Sequence, residues 1–169
     1  MHKLTRHITK LTAACAMAIA VAACEGINCT LNNVVMLNVG FYDSATGKHI
    51  ELSDTIMVTA TGTDSVLYNR GTKTSALTLP MSFWQAADTL TFTIYGENYE
   101  FEDFITISKT NVEHYESPDC PTTMFHAITG VDFASPFGTV DSIVVSKPSV
   151  NYDTQENLKI YYNSAALPE

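Results

Sequence analysis

The histidines and cysteines near the middle of the chain are the first candidates for chemistry. The segment HYESPDCPTTMFH places His114, Cys120 and His126 at six-residue intervals. A thiol beside an imidazole can form a nucleophile–base pair, but no pattern around these residues supplies the third group that orients the base. A zinc site needs about four ligands, and Cys120 has no close C-x-x-C partner. His126 alternates with Met124 and Ile128, so we interpret it as a packed histidine and predict no catalytic or metal residue here.

The chain begins with the features of an export signal. Residues 1–10 carry three basic residues and no acid, and residues 11–23 carry no charge. As a helix, the uncharged run would span about 20 Å, short of the ~30 Å hydrocarbon core of a bilayer. This length is typical of a signal peptide, which we predict over residues 1–23.

The signal ends in Val-Ala-Ala-Cys, residues 21–24, which resembles the lipobox of bacterial lipoproteins. The resemblance implies cleavage before Cys24 and a diacylglycerol group on its thiol, with acylation of the new amino terminus. Several acyl chains together anchor a protein firmly, whereas one binds only marginally. The alternative is an ordinary secretory signal with a coincidental cysteine. We expect a membrane partner through lipid on Cys24, in the cell envelope and at the outer membrane, with the face left open.

Composition indicates one folded, acidic domain. The chain has 169 residues, of which 46% are hydrophobic and 16% charged, so disorder is not expected. The formal net charge is −9, and loss of the basic residues Lys3, Arg6 and Lys10 with the signal takes it to −12. Such a charge argues against nucleic acid as a partner.

Apolar residues alternate along nearly every segment of the mature chain. In NVVMLNVGFYD, Val35, Leu37, Val39 and Phe41 share one face, and TIMVTAT and TLTFTIY repeat the pattern. This period of two indicates half-buried strands. Further strands are predicted at 65–69, 76–79, 99–107, 123–133, 140–146 and 158–162, and MSFWQAAD, residues 81–88, is predicted to hold one short helical turn.

The strand pattern predicts an all-β fold. Gly/Asp/Asn/Ser clusters such as DSATGK, TGTD and SPFGT separate the strands, as turns do. We expect an antiparallel β-sandwich, immunoglobulin-like in general shape, with a small β-barrel as the alternative. The expected organisation is a signal peptide at 1–23, the lipidated Cys24 with a tether at 24–32, the sandwich domain at 33–163 and a tail at 164–169.

Two cysteines remain once Cys15 leaves with the signal and Cys24 is acylated. An exported chain lies in an oxidising compartment, so Cys29 and Cys120 are expected to form a disulfide. It would close a loop of about 90 residues, for which the chain-entropy model gives at most ~4–5 kcal/mol.

Several longer segments resemble a family of Bacteroidota envelope lipoproteins of unknown function. They are VGFYDSATGKHIEL, LTLPM, YESPDCPTTMFHAITGV and VDSIVVSKPSVNYDTQENLKIYY, which together span most of the mature chain. The resemblance implies an exported, lipid-anchored, all-β protein. It carries over no catalytic residue and no cofactor.

One tripeptide pattern recurs five times. Its first residue is Asp, its second is Ser or Thr, and its third is Ala, Ile, Leu, Val, Met or Thr. It resembles the O-glycosylation motif that Bacteroidota use on exported proteins. The alternative is that turns favour Asp-Ser/Thr and that an apolar residue simply begins the next strand. The candidate hydroxyls are Ser44, Thr55, Ser65, Thr89 and Ser142.

The acidic segment GENYEFED offers oxygen ligands for calcium. Its candidate residues are Glu97, Glu100, Glu102 and Asp103. The segment lacks the EF-hand spacing. Because Glu100 and Glu102 alternate with Tyr99 and Phe101, the solvated face of a strand is the simpler interpretation.

These observations lead to three functional hypotheses. The first is a non-enzymatic, lipid-anchored module that binds or scaffolds an envelope protein, because no G-x-S-x-G, H-E-x-x-H or P-loop motif is present. The second is a glycan- or calcium-binding module in nutrient capture, in which Trp84 and the tyrosines stack on sugars. The third is a hydrolase that uses His114 or His126.

Overall fold

The structure is a computed structural model, and it describes residues 35–63, 65–118 and 120–166. The strands in these ranges are β1 (Met36–Asp43), β2 (Thr55–Ala60), β3 (Val66–Gly71), β4 (Ala76–Pro80), β5 (Ala87–Tyr95), β6 (Glu100–His114), β7 (Thr123–Ala134), β8 (Val140–Val145), β9 (Ser149–Val150) and β10 (Leu158–Tyr162), and a 3₁₀ turn follows at Ser164–Ala166. The strands predicted from alternation are therefore confirmed. Within the described ranges no helix is long and apolar enough to cross a membrane.

The strands form two sheets, which confirms the predicted all-β class. A four-stranded sheet has the order β4-β1-β10-β8, and a six-stranded sheet has the order β3-β2-β5-β6-β7-β9. Neighbouring strands are antiparallel except β1 and β10, which pair in parallel from Val39 with Leu158 to Asp43 with Tyr162. One of the two sheets curls into a half-barrel, so the architecture is consistent with a β-sandwich or a small barrel.

The hydrophobic core lies between the two sheets and follows the period-two pattern. Strand β1 contributes Leu37, Val39 and Phe41, each at most 1% exposed. The partner sheet contributes alternate residues of β2, β5 and β6 to the same cluster. The other face of β5 is a row of threonines, in which the Thr89 hydroxyl lies 3.0 Å from that of Thr106. Alternation along each strand thus separates the core from the hydroxyl-bearing face.

A β-bulge in the β6–β7 pair decides which side chains of β7 face inward. Ser108 pairs with Gly130, but Lys109 pairs with Ile128, so β7 carries one extra residue, Thr129. The inward positions of β7 therefore change phase at the bulge. Before it, Met124, His126 and Ile128 are buried.

A buried carboxyl connects the sheets at the end where β6 begins. Asp103 on β6 is fully buried, and the Thr139 hydroxyl lies 2.6 and 2.7 Å from its two oxygens. Burial raises the pKa of the Asp103 carboxyl, and hydrogen bonds from Ser135 and Thr139 offset only part of the increase. Burial also raises the pKa of the Tyr162 hydroxyl, and the negative charge of Asp103 raises it further.

The raised pKa of Asp103 sets the sign of a pH effect on stability. The native carboxyl keeps its proton to a higher pH than the unfolded one, so ionisation destabilises the fold by about 1.4 kcal/mol for each unit of pKa shift. We expect the free energy of unfolding of Asp103→Asn, relative to wild type, to fall as the pH is lowered from 7 towards 4. Guanidinium unfolding at several pH values measures it. Asp132→Asn, at an exposed aspartate, serves as the control, and a relative stability of Asp103→Asn that rises on acidification would contradict the assignment.

Candidate functional site

The loop at residues 81–86, which joins β4 of one sheet to β5 of the other, exposes two aromatic side chains. Phe83 is 50% exposed and Trp84 is 76% exposed, and their ring centroids are 6.3 Å apart. The loop is irregular, so the predicted helical turn at 81–88 is wrong, and Ala87 already belongs to β5. Adjacent exposed aromatic side chains form the kind of apolar patch that is found at binding surfaces.

A buried ammonium group holds this loop in place. The side chain of Lys109 on β6 is fully buried, and its Nζ donates to the carbonyl oxygens of Ser82 at 2.5 Å and Gln85 at 3.0 Å. A third acceptor, Asn111 Oδ1, lies 3.0 Å away. The Ser82 hydroxyl oxygen is a fourth acceptor at 3.2 Å, so each of the three ammonium protons has a partner. Two of the acceptors are loop carbonyls, so the charge fixes the path of the loop backbone.

Asp88 supplies the compensating negative charge. Its Oδ2 lies 3.5 Å from Lys109 Nζ and accepts a hydrogen bond from the Ser82 backbone N–H at 3.1 Å. Its Oδ1 accepts from the Ser82 hydroxyl. Burial lowers the pKa of Lys109, and the Asp88 carboxylate acts in the opposite direction. A buried charge pair with this many hydrogen bonds is strongly coupled to the loop conformation.

His126 extends the same network from β7. Its Nδ1 lies 2.8 Å from Asn111 Oδ1, and an amide oxygen can only accept, so the imidazole is the Nδ1–H tautomer. Asn111 in turn donates from Nδ2 to the Gln85 carbonyl at 2.9 Å. Burial and the neighbouring Lys109 charge lower the pKa of His126 to about 4, with Asp88 opposing them. The imidazole is therefore neutral at pH 7, and Nε2 carries its lone pair.

Two cavities flank the base of the loop. The larger, about 420 Å³, has a mixed lining of hydroxyl, amide and apolar groups that includes Thr61, Thr63, Ser82, Gln85, Leu67 and Leu90. The smaller, about 250 Å³, is lined by Val35, Pro80, Met81, Phe83, Thr123, Met124 and His126. Since Pro80 and Met81 line both, the loop lies between two concave surfaces, and the larger of them is of the size that small ligands occupy.

The network also contains the atoms of a Ser–Lys nucleophile pair. Ser82 Oγ lies 3.2 Å from Lys109 Nζ. A lysine base must be neutral, but Lys109 donates to two carbonyl oxygens and an amide oxygen and faces a carboxylate, and these contacts favour the charged form. The Ser82 hydroxyl donates to Asp88 instead. The arrangement is therefore a clamp on the loop.

The structure separates the sequence-predicted chemical residues. His114 is stacked on Phe125, with centroids 4.2 Å apart, on the opposite face of the sheet from His126. Cys120 lies in the segment between β6 and β7, where its backbone N–H donates to the Ser117 carbonyl at 3.1 Å. Its predicted partner Cys29 and the predicted lipid site Cys24 lie outside the described residues, so the disulfide and the anchor stay predictions.

The four acidic residues proposed for calcium are not brought together. Asp103 points into the core towards Thr139, whereas Glu100 and Glu102 are exposed on the other face of β6, and Glu97 lies in the preceding turn. Across the described ranges, no group of three or more histidine, cysteine or acidic side chains is placed to hold a metal ion. The physical reason is the alternation of a strand, which sends neighbouring residues to opposite faces.

The five candidate glycosylation hydroxyls differ in exposure. Ser65 is exposed, whereas the other four are half-buried. Thr89 is bonded to Thr106, and the acid of its tripeptide, Asp88, is committed to the Lys109 clamp. Ser142 donates to the neighbouring Asp141 at 3.1 Å. Ser44 and Thr55 are the other two half-buried candidates.

Sequence reasoning missed the clamp, although a signal was present. Lys109 follows Ile105 and Ile107 at spacing two, which places an ammonium on the buried face of β6. A charge at an inward position predicts a partner. Which residues supply the acceptors is not readable from the sequence, because Ser82 and Gln85 are more than 20 residues away.

The clamp predicts a coupled loss of stability and of loop order. Lys109→Met should lower the free energy of unfolding by about 3–5 kcal/mol, because it leaves the buried Asp88 without its counter-charge. Trp84 is the only tryptophan of the chain, so its fluorescence anisotropy reports on the loop and should fall in the variant. Lys48→Met, at an exposed lysine, is the matched control. Unchanged stability and anisotropy in Lys109→Met would show that the clamp does not hold the loop.

Comparison with known proteins places the chain in a family without assigning an activity. Searches of curated proteins and of solved structures each found no match. A family of unknown function, DUF6452, matches residues 55–162, which is more than half of the chain and runs from β2 to the end of β10. The matched region contains the aromatic loop, Lys109 and each side chain of its clamp. The chain belongs to the DUF6452 family.

Proposed function

We propose that this protein is a lipid-anchored protein of the bacterial envelope and a non-enzymatic binding module that docks an envelope protein through the 81–86 loop. The observation that carries the proposal is the 76% exposure of Trp84 on a loop clamped by a buried lysine. Tryptophan is among the residues that contribute most to binding energy at interfaces. A clamped loop loses little conformational entropy on binding, which favours affinity.

The clamp supports a binding role because it stabilises a loop that exposes apolar surface. Phe83 and Trp84 contribute little hydrophobic free energy to folding, because half or more of each side chain stays exposed to water. The buried pair of Lys109 and Asp88 carries a desolvation cost. A fold gains no stability from displaying these rings, so a partner that covers them accounts for both features.

The lipid anchor and the disulfide are proposed from the sequence. Val-Ala-Ala-Cys at residues 21–24 supports acylation of Cys24, and the even pair left after export supports a bond between Cys29 and Cys120. Such a bond would tie the tether to the segment between β6 and β7. Ser65 is the exposed candidate for O-glycosylation.

The anchor predicts a change in fractionation. Cys24→Ser, expressed with its own leader in a bacterial host that processes lipoproteins, should lose acylation and move from the membrane to the soluble fraction. Cys15→Ser, inside the predicted signal, should remain in the membrane and is the matched control. Intact mass of the purified protein checks the acyl chains directly. Membrane retention of Cys24→Ser with an unchanged mass would remove the anchor.

The docking loop predicts a site-specific loss of partner capture. Trp84→Ala should reduce the amount of partner protein that is crosslinked to this chain in native membranes. The expected reduction is about tenfold or more, as for loss of a tryptophan hot spot. Phe137→Ala removes an exposed aromatic from the opposite end of the sandwich and should leave capture unchanged. The proposal fails if Trp84→Ala, like Phe137→Ala, captures the same partner protein in the same amount as wild type does.

Glycan binding is the second candidate, and the larger cavity favours it. Its lining mixes hydroxyl and amide groups with apolar side chains, a combination that recognises sugars, and Trp84 lies on the adjoining loop. The same two variants distinguish the candidates. Retention of wild-type protein on immobilised envelope polysaccharide, lost in Trp84→Ala, would favour a glycan over a protein partner.

A further inference from the structure

The smaller cavity beside the loop is lined by methionine and histidine side chains, which take no part in the proposed docking of an envelope protein. Met81, the first residue of the loop, and Met124 and His126 on β7 line the same 250 Å³ space. All three are buried, at 9%, 3% and 5% exposure. Two methionines and one histidine therefore line the same small cavity.

The register of β7 accounts for two of these side chains. Met124 and His126 are two residues apart on one strand and precede the bulge, so both project from the inner face. Met124 is buried but stands apart from the main hydrophobic core cluster, whereas Met81 belongs to that cluster. Met124 thus lines the cavity from outside the main core cluster.

The imidazole is oriented as a ligand would be. His126 Nδ1–H donates to Asn111 Oδ1 at 2.8 Å, which fixes the ring and leaves the Nε2 lone pair without a proton. Histidine ligands of metals typically donate their second ring nitrogen to such an outer acceptor. Asn111 is itself held by Lys109 Nζ at 3.0 Å and by its bond to the Gln85 carbonyl. The orientation of His126 is therefore set before any ligand binds.

The chemistry of the lining selects the kind of ion. Among the described lining residues there is no carboxylate, so the donor set is neutral and soft. Calcium and magnesium require oxygen ligands, commonly carboxylates. Thioether sulfur with imidazole nitrogen suits a soft, monovalent ion, copper(I) or its analogue silver(I).

We propose that Met81, Met124 and His126 form a binding site for copper(I). Methionine sulfurs and His126 Nε2 are the ligands, and Asn111 positions the imidazole. Phe83 lines the same cavity. The site goes beyond the docking role of the loop and does not depend on it.

Silver(I) is the probe, because it has the ligand preference of copper(I) and needs no reductant. The full chain, labelled with ¹³C at the methionine methyl groups and with ¹⁵N in the histidine rings and extracted in detergent, is titrated with silver nitrate in chloride-free buffer. Stoichiometric addition should shift the methyl resonances of Met81 and Met124 and the Nε2 resonance of His126. The methyl groups of Met36 and Met57, on β1 and β2, should not move.

Variants then test each ligand. Met124→Leu and His126→Asn should each weaken silver(I) binding by about tenfold or more, since each removes one donor. Met57→Leu is the matched control for methionine loss, and Trp84→Ala should bind silver(I) as wild type does, which separates this site from the docking loop. Leucine replaces methionine at similar volume, so the fold is retained.

The wild-type titration keeps the proposal falsifiable even if a variant fails to fold. Shifts confined to Met36, Met57 or the other histidines would overturn it, as would an absence of shifts at Met81 and Met124 with one equivalent of silver(I). Binding by Met124→Leu as tight as wild type would also overturn it, because the thioether would then not be a ligand. Failure of the docking experiments leaves these outcomes unchanged.

Discussion

An ammonium group buried at one end of the β-sandwich must find three hydrogen-bond acceptors and a counter-charge, and the path of the 81–86 loop follows from that requirement. Lys109 receives two loop carbonyls, an asparagine oxygen and the Asp88 carboxylate. Water supplies these partners to an exposed lysine at no structural cost, whereas a buried lysine takes them from the protein. The loop that links the two sheets is therefore fixed by an electrostatic constraint on β6.

The bulge in β7 determines what shares this end of the molecule with the lysine. The extra residue at Thr129 changes the phase of β7, so that His126 and Met124 face inward beside Asn111 and the loop. A regular strand that kept Val131 against the core would have turned His126 to the opposite face. The clamp, the neutral imidazole and the methionine-lined cavity are consequences of one register shift and one buried charge.

The two ends of the sandwich provide different partners for their buried carboxyl groups. At one end Asp103 is buried with hydroxyl donors and no cation, and burial raises its pKa. At the other end Asp88 is buried with Lys109, and the pair organises a loop that displays aromatic rings. Ion pairs of this kind contribute little net stability compared with apolar packing, so conformational specificity is the better explanation for the second arrangement. A specified loop is what a binding surface requires.

The sequence by itself determined the fold class, the strand positions and the inward sets of β1, β2 and β5, because a period of two is a local property that each strand carries alone. The same alternation continues to Lys109, beyond the end of the strand predicted at 99–107, so the burial of this lysine was not predicted. The tertiary structure decided the rest. The parallel pairing of β1 with β10, the acceptors of Lys109 and the meeting of Met81 with His126 join residues far apart in the chain. Such contacts depend on sheet order, register and one bulge, and local periodicity encodes none of these.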